Sequence, residues 1–234
     1  MKLYAFDSCP FCTRVRTLIG LKDIACDMEF VVAGQLPQDI AAQIDRFAVP
    51  ILEINDHAET NSTVMQESGA IIRFLDGLAE PKLSSSVAPS TEVQSWLDTH
   101  RKTINALSYP RMPALKLPEL GSREAMNYFL SSRSKSLGMS IKDALNGTDE
   151  LVAQLEPALF ELADLAEVEA FLDNKRPISF DDLALFSEIR NLSMVYELRL
   201  PKHLTDFGWN ISQASDVPFF RGIAASDLEQ LAVL

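Results

Sequence analysis

The sequence predicts two parts of different class: an α/β part over residues 1–79 and an all-α part over residues 90–234. Three observations support this division. Short apolar runs alternate with helical periodicity before residue 80, in the order β-α-β-α-β-β-α. The stretch Glu80 to Pro89 is rich in Ser and Pro, which marks residues 80–89 as an expected linker. Beyond it the apolar spacing is helical nearly to the end.

Lys2 to Phe6 forms the first expected strand, with Asp7-Ser8-Cys9-Pro10 as its exit turn. A helix from about Cys12 to Leu21 follows from the spacing of Val15, Leu18 and Ile19, with Arg14, Arg16 and Thr17 off that face. Met28 to Val32 predicts a second strand. Pro37 can open a helix through Phe47, striped by Ile40, Ile44 and Phe47. Strands are expected at Pro50 to Ile54 and Thr63 to Met65, separated by a polar turn with Asn55-Asp56. Ser68 starts a helix through about Ala79, with Ile71, Ile72, Leu75 and Leu78 on one side. The opening β-α-β unit requires a parallel crossover.

In the second part, helices are expected at about 90–107, 122–137, 148–167, 179–197 and 201–214. Pro157 should kink the third or divide it. Tyr109 to Pro113, with Pro118 following, must be irregular. One helix start is marked with unusual clarity. Ser179 can cap the N–H of Asp182, whose carboxylate can reach back, and Ile178 and Leu183 are placed as a hydrophobic staple. Ser179 and Asp182 are therefore assigned to folding alone. The residues that follow, Leu183, Leu185, Phe186, Ile189, Leu192, Met194 and Val195, are apolar around most of a helix, which predicts a buried centre for the helical part.

Composition excludes several classes. The formal net charge of −12 argues against a nucleic-acid partner, which needs clustered Lys and Arg. No apolar run approaches the ~18–20 residues needed to cross a bilayer. The apolar Met1 to Phe6 stops at Asp7 and falls short of a secretory signal, so a cytoplasmic location is expected. Three cysteines are too few for a disulfide-stapled scaffold.

Two of them, Cys9 and Cys12, form one Cys-Pro-Phe-Cys segment at a strand-turn-helix junction. A helix N-terminus offers free N–H groups and the positive end of the dipole, which favour a thiolate at Cys9. Pro10 suits the first turn because it has no N–H to leave unpaired. Cys12 lies one turn further on and should be more buried, better suited to resolving a mixed disulfide than to starting one. A zinc site would need two more ligands at matching spacing, and only Cys26 and the scattered His57, His100 and His203 remain. No metal is expected. Cys26 and the three histidines are assigned to core or surface.

Cys9-Pro10-Phe11-Cys12 after a short strand resembles the active site of glutaredoxins. Val49-Pro50 resembles the cis-proline position of the thioredoxin fold. Glu67-Ser68 resembles the pair that holds the γ-glutamyl end of glutathione in glutathione-transferase-like proteins, and the box at Ser179 resembles the one in their helical domain. Nearly the whole chain is similar to two-domain bacterial glutaredoxins with a glutathione-transferase-like architecture: a thioredoxin-like domain, then an all-α domain. The resemblance implies glutathione as co-substrate, and disulfide-containing or glutathionylated proteins as partners. It also implies a monomer that acts on neither membranes nor nucleic acid. Cys9 would attack and Cys12 resolve. The Val49 backbone would pair with the cysteinyl part of glutathione beside Pro50. Glu67 would meet its α-amino group and Ser68 its carboxylate. Plainer readings exist for these positions: an ordinary trans-proline opening a strand, and Ser68 as a helix N-cap. A glutathione transferase or dehydroascorbate reductase using Cys9 is the rival class, against which a second thiol at Cys12 speaks.

Overall fold

The computed structural model describes residues 1–55, 62–84 and 88–229. His57 and most of the expected Asn55-Asp56 turn lie outside the described residues, as do Ser85 to Val87.

The first part is a four-stranded sheet with strand order β2-β1-β3-β4: β1 Lys2–Ala5, β2 Asp27–Phe30, β3 Ile51–Asn55 and β4 Ser62–Gln66. Strand β2 is parallel to β1, reached through helix α1 (Pro10–Leu21); β3 and β4 are antiparallel to their neighbours. One sheet face packs Leu3, Ala5 and Leu52 against Cys12, Val15 and Leu18 of α1 and against Ile71, Ile72 and Leu75 of α3 (Ser68–Leu78). The other face covers Tyr4, Ile51 and Val31 with Ile40 from the short helix α2 (Gln38–Ala41).

Helix α2 stops far short of the predicted Phe47. The segment that follows is held from outside. The Gln66 side-chain amide donates to the carbonyls of Arg46 (3.3 Å) and Ala48 (2.8 Å), pulling that segment out of helical geometry. Pro50 disfavours helix at Val49 as well, and the Val49-Pro50 bond is cis. At α3, Glu67 rather than Ser68 occupies the N-cap, with φ +69°, and Ser68 is the first helical residue. A residue whose carbonyl already accepts the N–H groups of Ala70 and Ile71 stands one place before the expected cap.

The stretch from residue 80 is pinned rather than loose. Lys22 Nζ donates to the carbonyls of Ala79 and Pro81 and pairs with Asp76 at 2.8 Å. The Leu83 N–H donates to Asp76, and the Ser84 N–H to the Ile178 carbonyl.

The helical part contains α4 (Thr91–Ser108), α5 (Arg123–Leu137), α6 (Ile141–Asn146), α7 (Thr148–Leu165), α8 (Val168–Leu172), α9 (Phe180–Leu192), α10 (Lys202–Ser215) and α11 (Ala225–Glu229). Helix α7 runs on through Pro157 as one helix. The irregular Pro-rich region holds two 3-10 turns, Met112–Leu115 and Pro118–Leu120. The capping box of α9 is formed, and Arg176 grips the Asp182 carboxylate with two hydrogen bonds of 2.7 and 2.8 Å. Every residue of α9 except Asp181 is buried, so it is the centre of the helical core, as its all-round apolar pattern predicts.

Helix α1 is enclosed by α3 on the sheet side and by α9 and α10 on the other. It crosses α10 so closely that a side-chain carbon at Gly20 would run into the Ser215 carbonyl. The two parts are thus joined along one helix, and Cys9 stands at its head.

Candidate active site at the head of the first helix

Cys9 is the N-cap of α1, in extended conformation, with Pro10 as the first helical residue; its carbonyl accepts the Thr13 N–H at 2.9 Å. Cys9 as a residue is partly exposed, while Cys12 is fully buried, and both are free thiols. The Cys12 thiol donates to the Cys9 sulfur and is the largest influence pulling the Cys9 pKa below its ordinary value. Burial opposes this, the N–H groups of Cys12 and Phe11 reinforce it, and the Glu119 carboxylate works against it. Cys12 moves the other way: burial, then the neighbouring Cys9, push it well above an ordinary thiol. One thiol is set to ionise and the other to stay protonated. That is the asymmetry thiol–disulfide exchange requires of an attacking and a resolving group.

The turn before Cys9 is built by side chains from the helical part. Glu119, in the second 3-10 turn, accepts the Asp7 N–H (3.1 Å), the Ser8 N–H (2.9 Å) and the Ser8 hydroxyl (2.6 Å). The Ser8 carbonyl accepts from Asn191 Nδ2 at 3.0 Å, and the Asp7 carbonyl accepts from Arg190 Nη1. The Asp7 carboxylate bridges Arg190 and Arg16, each at 2.7 Å. Burial alone would raise the Asp7 pKa, but these two guanidinium groups outweigh it and hold the carboxyl below its usual value. Arg190 is itself pushed down to about 10 by burial, with Asp7 opposing.

The predicted polar face of α1 is not solvated. Thr13 and Thr17 are fully buried, and Arg14 and Arg16 are nearly so: α9 and α10 pack along α1, and Arg16 is held between Asp7 and Phe30. Arg14 donates to Ser187 at 3.3 Å and faces Glu188 at 3.7 Å. Its guanidinium lies 4.9 Å from the centre of the Phe11 ring, and that of Arg16 lies 4.7 Å from the Phe30 ring.

The remaining predicted site residues come to the same end of the sheet. Tyr4 stands opposite Ile51, and Ile51 opposite Gln66. The exit of β1, the entry of β3 at Val49-Pro50 and the exit of β4 at Glu67 therefore line one edge. Cys9 and Val49 pack on the same apolar cluster around Cys12. Helix α3 opens without a side-chain cap on its N-terminal N–H groups. Glu67 keeps 77% of its side chain exposed and touches Arg46 at 3.4 Å. The bystander residues are also placed: Cys26 is partly buried beside β2, and His100 stacks on Trp96. His203 sits against Phe160. Among the described residues no cluster of His, Cys, Asp and Glu is arranged to hold a metal.

Sequence reasoning missed Asp7, Glu119, Arg190 and Asn191. A signal existed for two of them. Arg190 and Asn191 fall on the helix predicted to be apolar all round, and a polar group on such a helix must find a buried partner. Glu119, in a three-residue turn, offers no comparable sign.

Comparison with known proteins agrees with this arrangement. The family described as "Glutaredoxin 2, C terminal domain" matches residues 92–224, and "Glutathione S-transferase, N-terminal domain" matches residues 3–83. Glutaredoxin 2 of Escherichia coli K12 is 27% identical over 225 residues, covering 96% of this chain and 100% of that protein. The structure of glutaredoxin 2 from Salmonella typhimurium in complex with glutathione has a TM-score of 0.78 at 24% identity, covering 97% of each chain. FzlA from C. crescentus shares the fold at a TM-score of 0.56 and 16% identity, covering 97% of this chain and 98% of its own. With the match to the helical part alone spanning more than half of its residues, the chain belongs to the glutaredoxin 2 family.

Proposed function

We propose that this protein is a glutathione-dependent thiol–disulfide oxidoreductase in which Cys9 attacks and Cys12 resolves. The observation that carries the reading is the placement of two free thiols at the head of α1, Cys9 at the N-cap and Cys12 buried one turn on, a geometry that favours ionisation of the first and disfavours that of the second. The Cys9 thiolate attacks one sulfur of a glutathione–protein mixed disulfide. The protein leaves as thiolate, takes up a proton, and glutathione remains bonded to Cys9. A second glutathione thiolate attacks the glutathione sulfur, releasing oxidised glutathione and restoring the Cys9 thiolate. With a protein disulfide, Cys12 instead gives up its proton and attacks Cys9, releasing the reduced protein and leaving a Cys9–Cys12 disulfide. Two glutathione molecules then reduce that bond.

In this reading Val49 pairs its backbone with the cysteinyl unit of glutathione beside Pro50. Glu67 meets the α-amino group, and Ser68 with the open end of α3 receives the carboxylate. Residues 1–79 act as the glutathione-binding domain and residues 90–234 as the helical domain that frames it. Proteins carrying disulfides or bound glutathione are the acceptors, and the working state is a monomer. No described helix is long and apolar enough to cross a membrane.

Turnover of a small disulfide and of a glutathionylated protein, with glutathione as donor, tests the proposal. Cys9→Ser should abolish both. Cys12→Ser should keep deglutathionylation and lose most protein disulfide reduction. Alkylation of Cys9 should rise with pH through a midpoint below the ordinary 9.0 of a thiol. Retained turnover in Cys9→Ser, or transfer of glutathione to an electrophilic aromatic acceptor as the dominant activity, would overturn it.

A further inference from the structure

Two buried side chains beside Cys9 have no part in the chemistry described above. Arg14 on α1 is 3% exposed and Glu188 on α9 is 5% exposed. Their closest approach, Nη2 to Oε1, is 3.7 Å, too long for a hydrogen bond, and neither of those atoms has a hydrogen-bond partner among the described residues. Taking both charges out of water at that separation is a poor way to stabilise a fold, because desolvation is repaid only by close, fully bonded geometry. The same chain shows what such geometry looks like, in the paired 2.7 and 2.8 Å contacts of Arg176 with Asp182. Arg14 and Glu188 therefore call for a reason other than stability.

Their surroundings supply one. The Arg14 guanidinium lies against Phe11, the residue between Pro10 and Cys12, and its charge reaches the Cys9 sulfur. Glu188 faces Arg14 of α1 and feels the charge of Arg101 on α4. Tyr109, just past the end of α4, lies within the field of both Glu188 and Cys9. Burial pushes the Glu188 carboxyl up, and the two arginines counter it.

We propose that Arg14 and Glu188 are positioning residues for the Cys9 thiolate: Glu188, carried by the helical part, holds the Arg14 guanidinium against Phe11 and partly cancels its charge, so that the pair sets how strongly the nucleophile is stabilised. The proposal rests on Cys9 acting as a thiolate nucleophile. An unopposed Arg14 would favour the thiolate further and stabilise the reduced enzyme, making its potential less negative. Removing Arg14 would do the reverse. The helical part thereby tunes the redox centre through one opposed pair of charges.

The test uses the full chain as Arg14→Gln, Glu188→Gln and the double variant. Cys9 ionisation is followed by alkylation rate against pH, and the glutathione-coupled potential is measured beside it. Arg14→Gln should raise the Cys9 pKa and Glu188→Gln should lower it, the two shifts being opposite in sign. The double variant should return close to the parent, and potentials should move with the pKa values. Arg14→Lys and Glu188→Asp keep the charges; they should leave the Cys9 pKa near the parent value and serve if the amide variants fail to fold. Shifts of the same sign in both amide variants, no shift in either, or Arg14→Lys behaving like Arg14→Gln would overturn the proposal. Those outcomes leave the parent enzyme active with a lowered Cys9 pKa. Failure of the oxidoreductase reading would instead appear in the parent itself, as an ordinary thiol without glutathione-coupled turnover.

Discussion

The two flanks of Cys9 are built in opposite ways. Toward Val49-Pro50 and Glu67-Ser68 the chain is open: the Glu67 side chain is 77% exposed, its contact to Arg46 is a surface ion pair, and α3 begins uncapped. Toward Asp7-Ser8 it is sealed. Both N–H groups of that dipeptide are taken by Glu119, and its two carbonyls by Arg190 and Asn191. The open flank leaves charge and hydrogen-bonding capacity free for a charged peptide. The sealed flank holds the backbone that aims the nucleophile, with or without a ligand. On the proposed reading, binding and aiming fall to different parts of the molecule, and the turn before Cys9 is held by residues more than a hundred positions away in sequence.

This contrast can be broken most severely at Arg190. Arg190→Ala strips the Asp7 carboxylate of a buried partner and leaves the Asp7 and Pro218 carbonyls without their donor. Urea denaturation should show a loss of about 3–5 kcal/mol, the usual cost of breaking a buried charge pair. Glu119→Ala should cost less, about 1–3 kcal/mol, by leaving the turn N–H groups and the Ser8 hydroxyl unpaired. It carries a second readout. The Glu119 charge opposes the thiolate, so Cys9 should ionise at lower pH in that variant. Glu67→Ala should be the mildest for stability, within about 1 kcal/mol, since its ion pair is exposed. Its KM for glutathione should nevertheless rise about tenfold, the size of one charged hydrogen bond. If Glu67→Ala unfolded the protein, or Arg190→Ala left it as stable as before, the division between the flanks would fail.

Much of this was readable in advance, for physical reasons that differ by element. Helix α3 announces itself because its buried residues Ile71, Ile72 and Leu75 keep the helical spacing of its sequence, and strand β3 because it is a short apolar run, buried at Ile51, Leu52 and Glu53 in succession. The α9 start is legible because a capping box is a short-range device whose parts all lie within four residues. Cys9 and Cys12 are legible because their chemistry needs only a turn and a helix end. By contrast, the early stop of α2 depends on Gln66, some twenty residues downstream, and no local propensity encodes that hydrogen bond. The short helices α6, α8 and α11 are too brief for periodicity to mark them. The sealed flank was illegible for the same reason as the end of α2: its members meet only through the tertiary fold. The burial of Arg14, Arg16 and Thr17 was equally illegible: Arg14 meets Ser187 and Glu188 on α9, Arg16 meets Asp7 and Phe30, and Thr17 turns back on the Thr13 carbonyl.

The polar face of α1 has a consequence for the nascent chain. At ~5–20 residues per second, α9 leaves the ribosome on the order of ten seconds after α1. During that interval the apolar cluster of the sheet, α1 and α3 lacks Phe180 and Leu183, which complete it, and the side of α1 that awaits α9 presents Thr13 and Arg14 beside that gap. An apolar surface held open for so long would invite capture by other unfinished chains. Thr13 and Arg14 keep part of that surface hydrated, which limits the apolar area the unfinished half exposes while it waits for its second half.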